Sequence, residues 1–158
     1  SILDAKSISD AIHSVTKDNR ASGFNYNIGS CNERKIVSIE VSSSQYDLQE
    51  VVSQSFHSNH YIQLKNELQW ITQSSEKRLE KFKEKGNLYT INDLLDVLSD
   101  NSDQRYPIYR NSTPPDESCT LATVIFDLDA KTCKIYTDNP VDSKRSFSFS
   151  IVTNQIIN

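Results

Sequence analysis

Phe56-His57-Ser58-Asn59-His60-Tyr61 is followed, beyond a polar spacer, by Ser74-Ser75-Glu76-Lys77-Arg78-Leu79-Glu80-Lys81-Phe82. The first piece reads as the end of a short buried strand, Gln54 to Tyr61, that finishes in a polar cluster. The second reads as a helix start, with Ser74 or Ser75 as N-cap and Glu76 in the first turn. A strand end and a helix start brought together put an amide side chain and a guanidinium in one cleft. Those groups suit a carbonyl oxygen or a carboxylate.

Working outward, Ala5, Ile8, Ala11, Ile12 and Val15 recur at helical spacing. Ser7-Ile8-Ser9-Asp10 resembles a capping box, which starts the helix proper at Ile8. Phe24, Tyr26 and Ile28 alternate with asparagines, as a strand from Ser22 to Ile28. A polar turn, Gly29 to Arg34, leads into Ile36 to Val41, so the two strands make a hairpin. Tyr46 to Val52 reads as a third strand. Leu64 to Thr72 fits either a helix or an ordered loop. Ser75 to Lys85 is a helix with Leu79 and Phe82 inward and Gly86 placed to end it. Thr90-Ile91-Asn92-Asp93 offers another capping box, for a helix through Leu98 with Ile91, Leu94, Leu95 and Leu98 inward. Residues 101–118 hold three of the four prolines and read as a surface loop. Thr120 to Leu128, Cys133 to Thr137 and Phe147 to Val152 then read as antiparallel strands. Phe24, Tyr26, Phe147 and Phe149 are expected to fill the space between layers. The pattern is α+β, with helices apart from antiparallel sheet.

The 158 residues suffice for a single domain, 1–158, with a core. A net charge of −4 without a basic stripe argues against a nucleic-acid partner. No apolar run approaches the ~18 residues of a membrane span. Cys31, Cys119 and Cys133 fit no zinc spacing, and their odd number points to free thiols in a reducing, cytoplasmic-type compartment. Cys119 and Cys133 read as small core residues on or beside strands. The chain starts at Ser1 and contains no Met, so it is expected to be a piece of a longer protein.

The helix start at Ser74-Ser75-Glu76-Lys77-Arg78 resembles the serine-serine-x-x-arginine motif of the choloylglycine hydrolase and penicillin V acylase group. Thr120-Leu121-Ala122-Thr123-Val124-Ile125-Phe126-Asp127-Leu128 and Lys134-Ile135-Tyr136-Thr137-Asp138-Asn139-Pro140 are more similar to a related branch. That branch holds acyl-coenzyme A:6-aminopenicillanic acid acyltransferase and the β-alanyl-amine hydrolases of the tan type. His57-Ser58-Asn59-His60 is similar to its strand-end asparagine motif. The resemblance spans nearly the whole chain. It implies an N-terminal nucleophile (Ntn) hydrolase: a four-layer αββα sandwich with antiparallel sheets, and a precursor that cuts itself before a cysteine. The freed cysteine supplies a thiol nucleophile and, through its α-amine, a base. This chain has no N-terminal cysteine. The resemblance therefore implies the C-terminal part of a catalytic subunit, with the nucleophile on an N-terminal portion of the same precursor.

By the same resemblance Asn59 donates its side-chain N–H to the tetrahedral oxyanion, a contribution of ~3 kcal/mol to the barrier. Read on its own, it is a turn-forming asparagine. Arg78 is implied to lie near the cysteine and favour its thiolate, or to hold a carboxylate. Read on its own, it is a helix-surface arginine paired with Glu76 or Glu80, worth ~0–1 kcal/mol. His57 and His60, with no third ligand nearby, make no metal site. They are expected to line a substrate cleft or satisfy core hydrogen bonds. No cofactor is called for.

The leading expectation is hydrolysis or acyl transfer on a small, linear, non-peptide amide. The alternative is a non-catalytic module that keeps the sandwich alone. An exposed apolar sheet face is expected as well, covered by the N-terminal portion or by self-association.

Overall fold

Lys35-Ile36-Val37-Ser38-Ile39-Glu40-Val41 is the central strand of the first sheet in the computed structural model, which describes residues 2–18, 20–153 and 156–157. The chain divides into two units, Ser1–Ile71 and Thr72–Asn158, each with its own antiparallel sheet. The class is α+β, as the sequence patterning indicated.

In the first unit, β1 (Phe24–Ser30), β2 (Lys35–Val41) and β3 (Tyr46–Glu50) lie in the order β1-β2-β3. Asn25 pairs with Glu40, and Tyr26 with Ile39. Alternation then sorts the residues onto two faces. Val37, Ile39 and Val41 pack against Ile8 and Val15 of α1 (Ile8–Val15), joined by Ile12, Tyr26 and Ile28. Helix α1 starts where its cap predicts. The Ser7 hydroxyl accepts from Asp10 N at 3.0 Å, and the Asp10 carboxylate accepts from Lys6 N at 3.2 Å. The opposite face carries Asn25, Ser38 and Glu40. Ser38 and Glu40 are buried at 2% and 1% exposure, so β2 is buried on both sides.

Gln54 to Tyr61 does not form the expected strand. Residues 51–72 contain no helix or strand. Several of their amides bond to side chains and not to a ladder neighbour, as described below.

In the second unit, α2 spans Gln73–Glu84. Its N-cap is Thr72, not Ser74 or Ser75. Thr72 has the extended backbone of a cap, and its hydroxyl accepts from Ser75 N at 3.2 Å. Leu79 is buried on the inward stripe. Gly86 follows with φ +68°, the left-handed conformation glycine adopts freely. Helix α3 (Ile91–Leu98) opens with the expected box: the Thr90 hydroxyl and Asp93 carboxylate each accept the other's backbone N–H. The inward face differs from expectation. Ile91 is 49% exposed, and Val97 is the residue that is buried.

The second sheet orders β4 (Thr123–Asp127), β5 (Thr132–Tyr136), β6 (Ser146–Ser150) and β7 (Ile156–Ile157). The pairs Val124↔Ile135↔Phe147 and Phe126↔Cys133↔Phe149↔Ile156 put one apolar row on a single face. Much of that face is open: Phe126 is 63%, Phe147 52% and Ile156 67% exposed. Phe24 and Phe147 are therefore exposed, while Tyr26 joins the first core. Cys133 is buried as expected, but Cys119 is exposed, on an isolated bridge to Asn111. No described helix is long and apolar enough to cross a membrane.

Candidate active site

Glu40 is the residue from which the site in the first unit is built. Its side chain is fully buried, and its carboxylate takes hydrogen bonds from the loop laid over that sheet face. Oε1 accepts from His57 Nε2 at 2.8 Å and from Ile62 N at 2.6 Å. Oε2 accepts from Gln63 N and Leu64 N, both at 2.9 Å. A buried carboxylate is tolerated only when its lone pairs are filled in this way. The three amides are backbone donors that a strand would have spent on a ladder.

Other contacts fix the same loop. Gln69 and Tyr61 bond reciprocally: Gln69 Oε1 accepts from Tyr61 N at 2.5 Å, and Gln69 Nε2 donates to Tyr61 O at 3.2 Å. The Tyr61 hydroxyl donates to Val41 O at 3.1 Å. Burial, then the carboxylates of Glu67 and Glu40, push the Tyr61 phenol above its ordinary pKa, with Arg20 opposing. The phenol therefore remains a donor. Gly23 makes room for it, since a Cβ there would overlap the Tyr61 hydroxyl.

The result is a cavity of about 600 Å³. Asn59, His57 and His60 all line it, together with Asn25 and Asn27 from β1 and the chain's single tryptophan, Trp70. Ser58 Oγ and His60 Nδ1 lie 3.2 Å apart and bracket Asn59. An amide donor held on a strapped loop, at a polar cavity, can receive a carbonyl oxygen as it becomes an oxyanion. Among the described residues no group of three or more His, Cys, Asp or Glu side chains could hold a metal ion.

Arg78 belongs to the second unit. It lies on α2, and its Nε donates to Ser74 O one turn back at 3.1 Å. It is partly buried, and Glu80, one of its expected partners, pairs with Lys77 at 2.7 Å. Burial, followed by the Arg110 guanidinium, lowers the Arg78 pKa, and Asp116 opposes them. It still carries its charge at neutral pH. Arg110 itself is held in a two-pronged pair: Nε to Asp116 Oδ2 at 3.0 Å and Nη2 to Asp116 Oδ1 at 2.5 Å. Asp116 is 5% exposed. The Ser74 hydroxyl is buried without a hydrogen-bond partner.

Sequence reasoning gave no role to Glu40, Gln69, Arg110 or Asp116. For Glu40 one signal existed: a lone acid between Ile39 and Val41 in a strand rich in β-branched residues. For Arg110 and Asp116 there was none, because residues 101–118 have the composition of a solvated loop.

A family model described as acyl-coenzyme A:6-aminopenicillanic acid acyl-transferase matches residues 1–142. No curated protein matches the chain.

Proposed function

Because the chain belongs to the acyl-coenzyme A:6-aminopenicillanic acid acyltransferase family, a family of acyltransferase and hydrolase type, we propose that it serves cleavage or transfer of the acyl group of a small linear amide. The nucleophile in this reading is a cysteine thiolate at the start of another segment of the protein. Cys31 follows β1 in a turn, and Cys133 is buried.

The thiolate attacks the amide carbonyl, and the carbonyl π pair moves onto oxygen. Asn59 Nδ2–H donates to that oxygen. The α-ammonium of the nucleophile gives its proton to the departing amine as the C–N bond breaks, leaving a thioester. Water or a second amine then attacks the thioester carbonyl, its proton passes to the α-amine, and the C–S bond breaks to release the acid or new amide and restore the thiolate and α-ammonium. Arg78, on α2 of the second unit, carries a fixed charge of the kind that favours thiolate over thiol beside a cysteine. The observation that carries the reading is Asn59 held at the cavity by a loop whose backbone is tied to Glu40. The open apolar face of the second sheet supports a covering segment, for which the nucleophile-bearing portion is the natural occupant.

The test is the pH profile of acyl-enzyme formation in Arg78→Ala, made in the complete protein. Losing a nearby cation raises the thiol pKa, so less thiolate is present at neutral pH. We expect acylation about tenfold slower at pH 7, the effect of roughly one pKa unit, with recovery as pH rises toward 9. An unchanged profile removes Arg78 from this role.

A further inference from the structure

We propose that Glu40 is a positioning residue for this reaction, holding Asn59 at its working place through the loop backbone and never touching substrate. The inference rests on the reading of Asn59 given above. Its grounds are geometric. Glu40 is the last residue but one of β2, directly opposite Asn25 of the cavity wall. Its carboxylate accepts from His57, two residues before Asn59, and from the amides of Ile62, Gln63 and Leu64, just after it; the Gln63 side-chain amide, turned to satisfy its neighbours, donates to it as well. The acid thus grips the loop on both sides of the asparagine. It does so from the central strand of the first sheet, buried on both faces. A carboxylate that accepts from all of these donors forms an anchor that few other side chains reproduce, since glutamine turns one acceptor into a donor facing N–H groups.

Displacement of a catalytic group by about 1 Å, caused at a distance, can cost ~10²-fold in rate. We therefore expect Glu40→Gln in the complete protein to lower kcat by ~10²-fold, with KM changed less than about threefold because the cavity walls remain. The decisive measurement is the double variant. If Glu40 acts through Asn59, adding Glu40→Gln to Asn59→Ala lowers kcat no further. If the losses multiply, Glu40 has only a structural role and the proposal is overturned. Normal turnover in Asn59→Ala alone overturns the Asn59 reading itself, which separates the two failures. Should Glu40→Gln not fold, Glu40→Asp keeps the charge on a shorter stem and goes through the same cycle. Amide hydrogen exchange in the unmodified protein needs no variant at all. Slow exchange at Ile62, Gln63 and Leu64 is expected, and exchange there as fast as in free peptide overturns the anchor.

Discussion

Replacing Asn59 by alanine in the complete protein is expected to lower kcat by about 10²–10³-fold and to leave KM nearly unchanged. The size follows from when the interaction matters. A neutral amide donor bonds a ground-state carbonyl weakly and an oxyanion strongly, so its loss falls on the transition state. The contribution depends on the donor being fixed before the reaction starts. The loop's anchoring to Glu40, the reciprocal Gln69–Tyr61 bonds and the Tyr61–Val41 contact supply that fixation. The variant should keep the far-ultraviolet circular dichroism of the parent, since Asn59 is at the cavity wall and outside the apolar core. Steady-state kinetics of the purified variant checks the claim. A fall in kcat below threefold, in a folded variant, removes Asn59 from the oxyanion role.

The second large effect is on stability. Asp116→Ala is expected to destabilise the second unit by about 3 kcal/mol. Asp116 is nearly fully buried, and its removal leaves Arg110, 23% exposed in its side chain, without its two-pronged partner. Stripping one member from a buried pair costs ~3–5 kcal/mol, and the partial exposure of Arg110 sets the value at the lower end. The same pair sets a pH dependence. The hydrogen bond from Arg110, with Ser118 N and the charges of Arg110 and Arg78, holds the Asp116 carboxyl below its ordinary pKa against the effect of burial. A carboxyl depressed in the folded state stabilises fully above its unfolded pKa of about 3.9 and loses that contribution as pH falls through the folded value. Urea unfolding at pH 7 should therefore separate parent from Asp116→Asn clearly. As pH falls below about 3.9 the gap should narrow, closing only once pH is below the folded-state value. A constant gap across that window would assign the stability to packing and not to the ion pair.

These effects show which links could be read from the chain and which could not. The α1 and α3 starts were legible because a cap is local: Ser7 and Asp10, and Thr90 and Asp93, bond within a few residues of each other. The β1–β2 hairpin was legible because alternation of Tyr26, Ile28, Val37 and Ile39 is also local. The N-cap of α2 was misassigned among three nearby hydroxyls, since only backbone geometry distinguishes Thr72 from Ser74 and Ser75. The strand expected at Gln54 to Tyr61 failed for a longer-range reason. Amides of the same loop, at Ile62 to Leu64, are satisfied by a carboxylate 22 to 24 residues earlier, which no local window contains. Glu40 itself hid in an alternating strand, where an acid ordinarily faces water. Asn59, His57 and His60 do share one cavity, so the polar cluster was legible as a unit. The Arg110–Asp116 pair was not, because proline-rich polar composition says nothing about what such a loop buries.

The most direct test of the central claim is an intact mass and peptide map of the complete protein after brief exposure to an activated acyl thioester. The account predicts one acyl group per protein, carried by the cysteine that opens a segment other than this chain, and a slower rate of labelling in Asn59→Ala. An acyl group found on Cys31, Cys119 or Cys133, or amide turnover with no acylated cysteine at all, would contradict it.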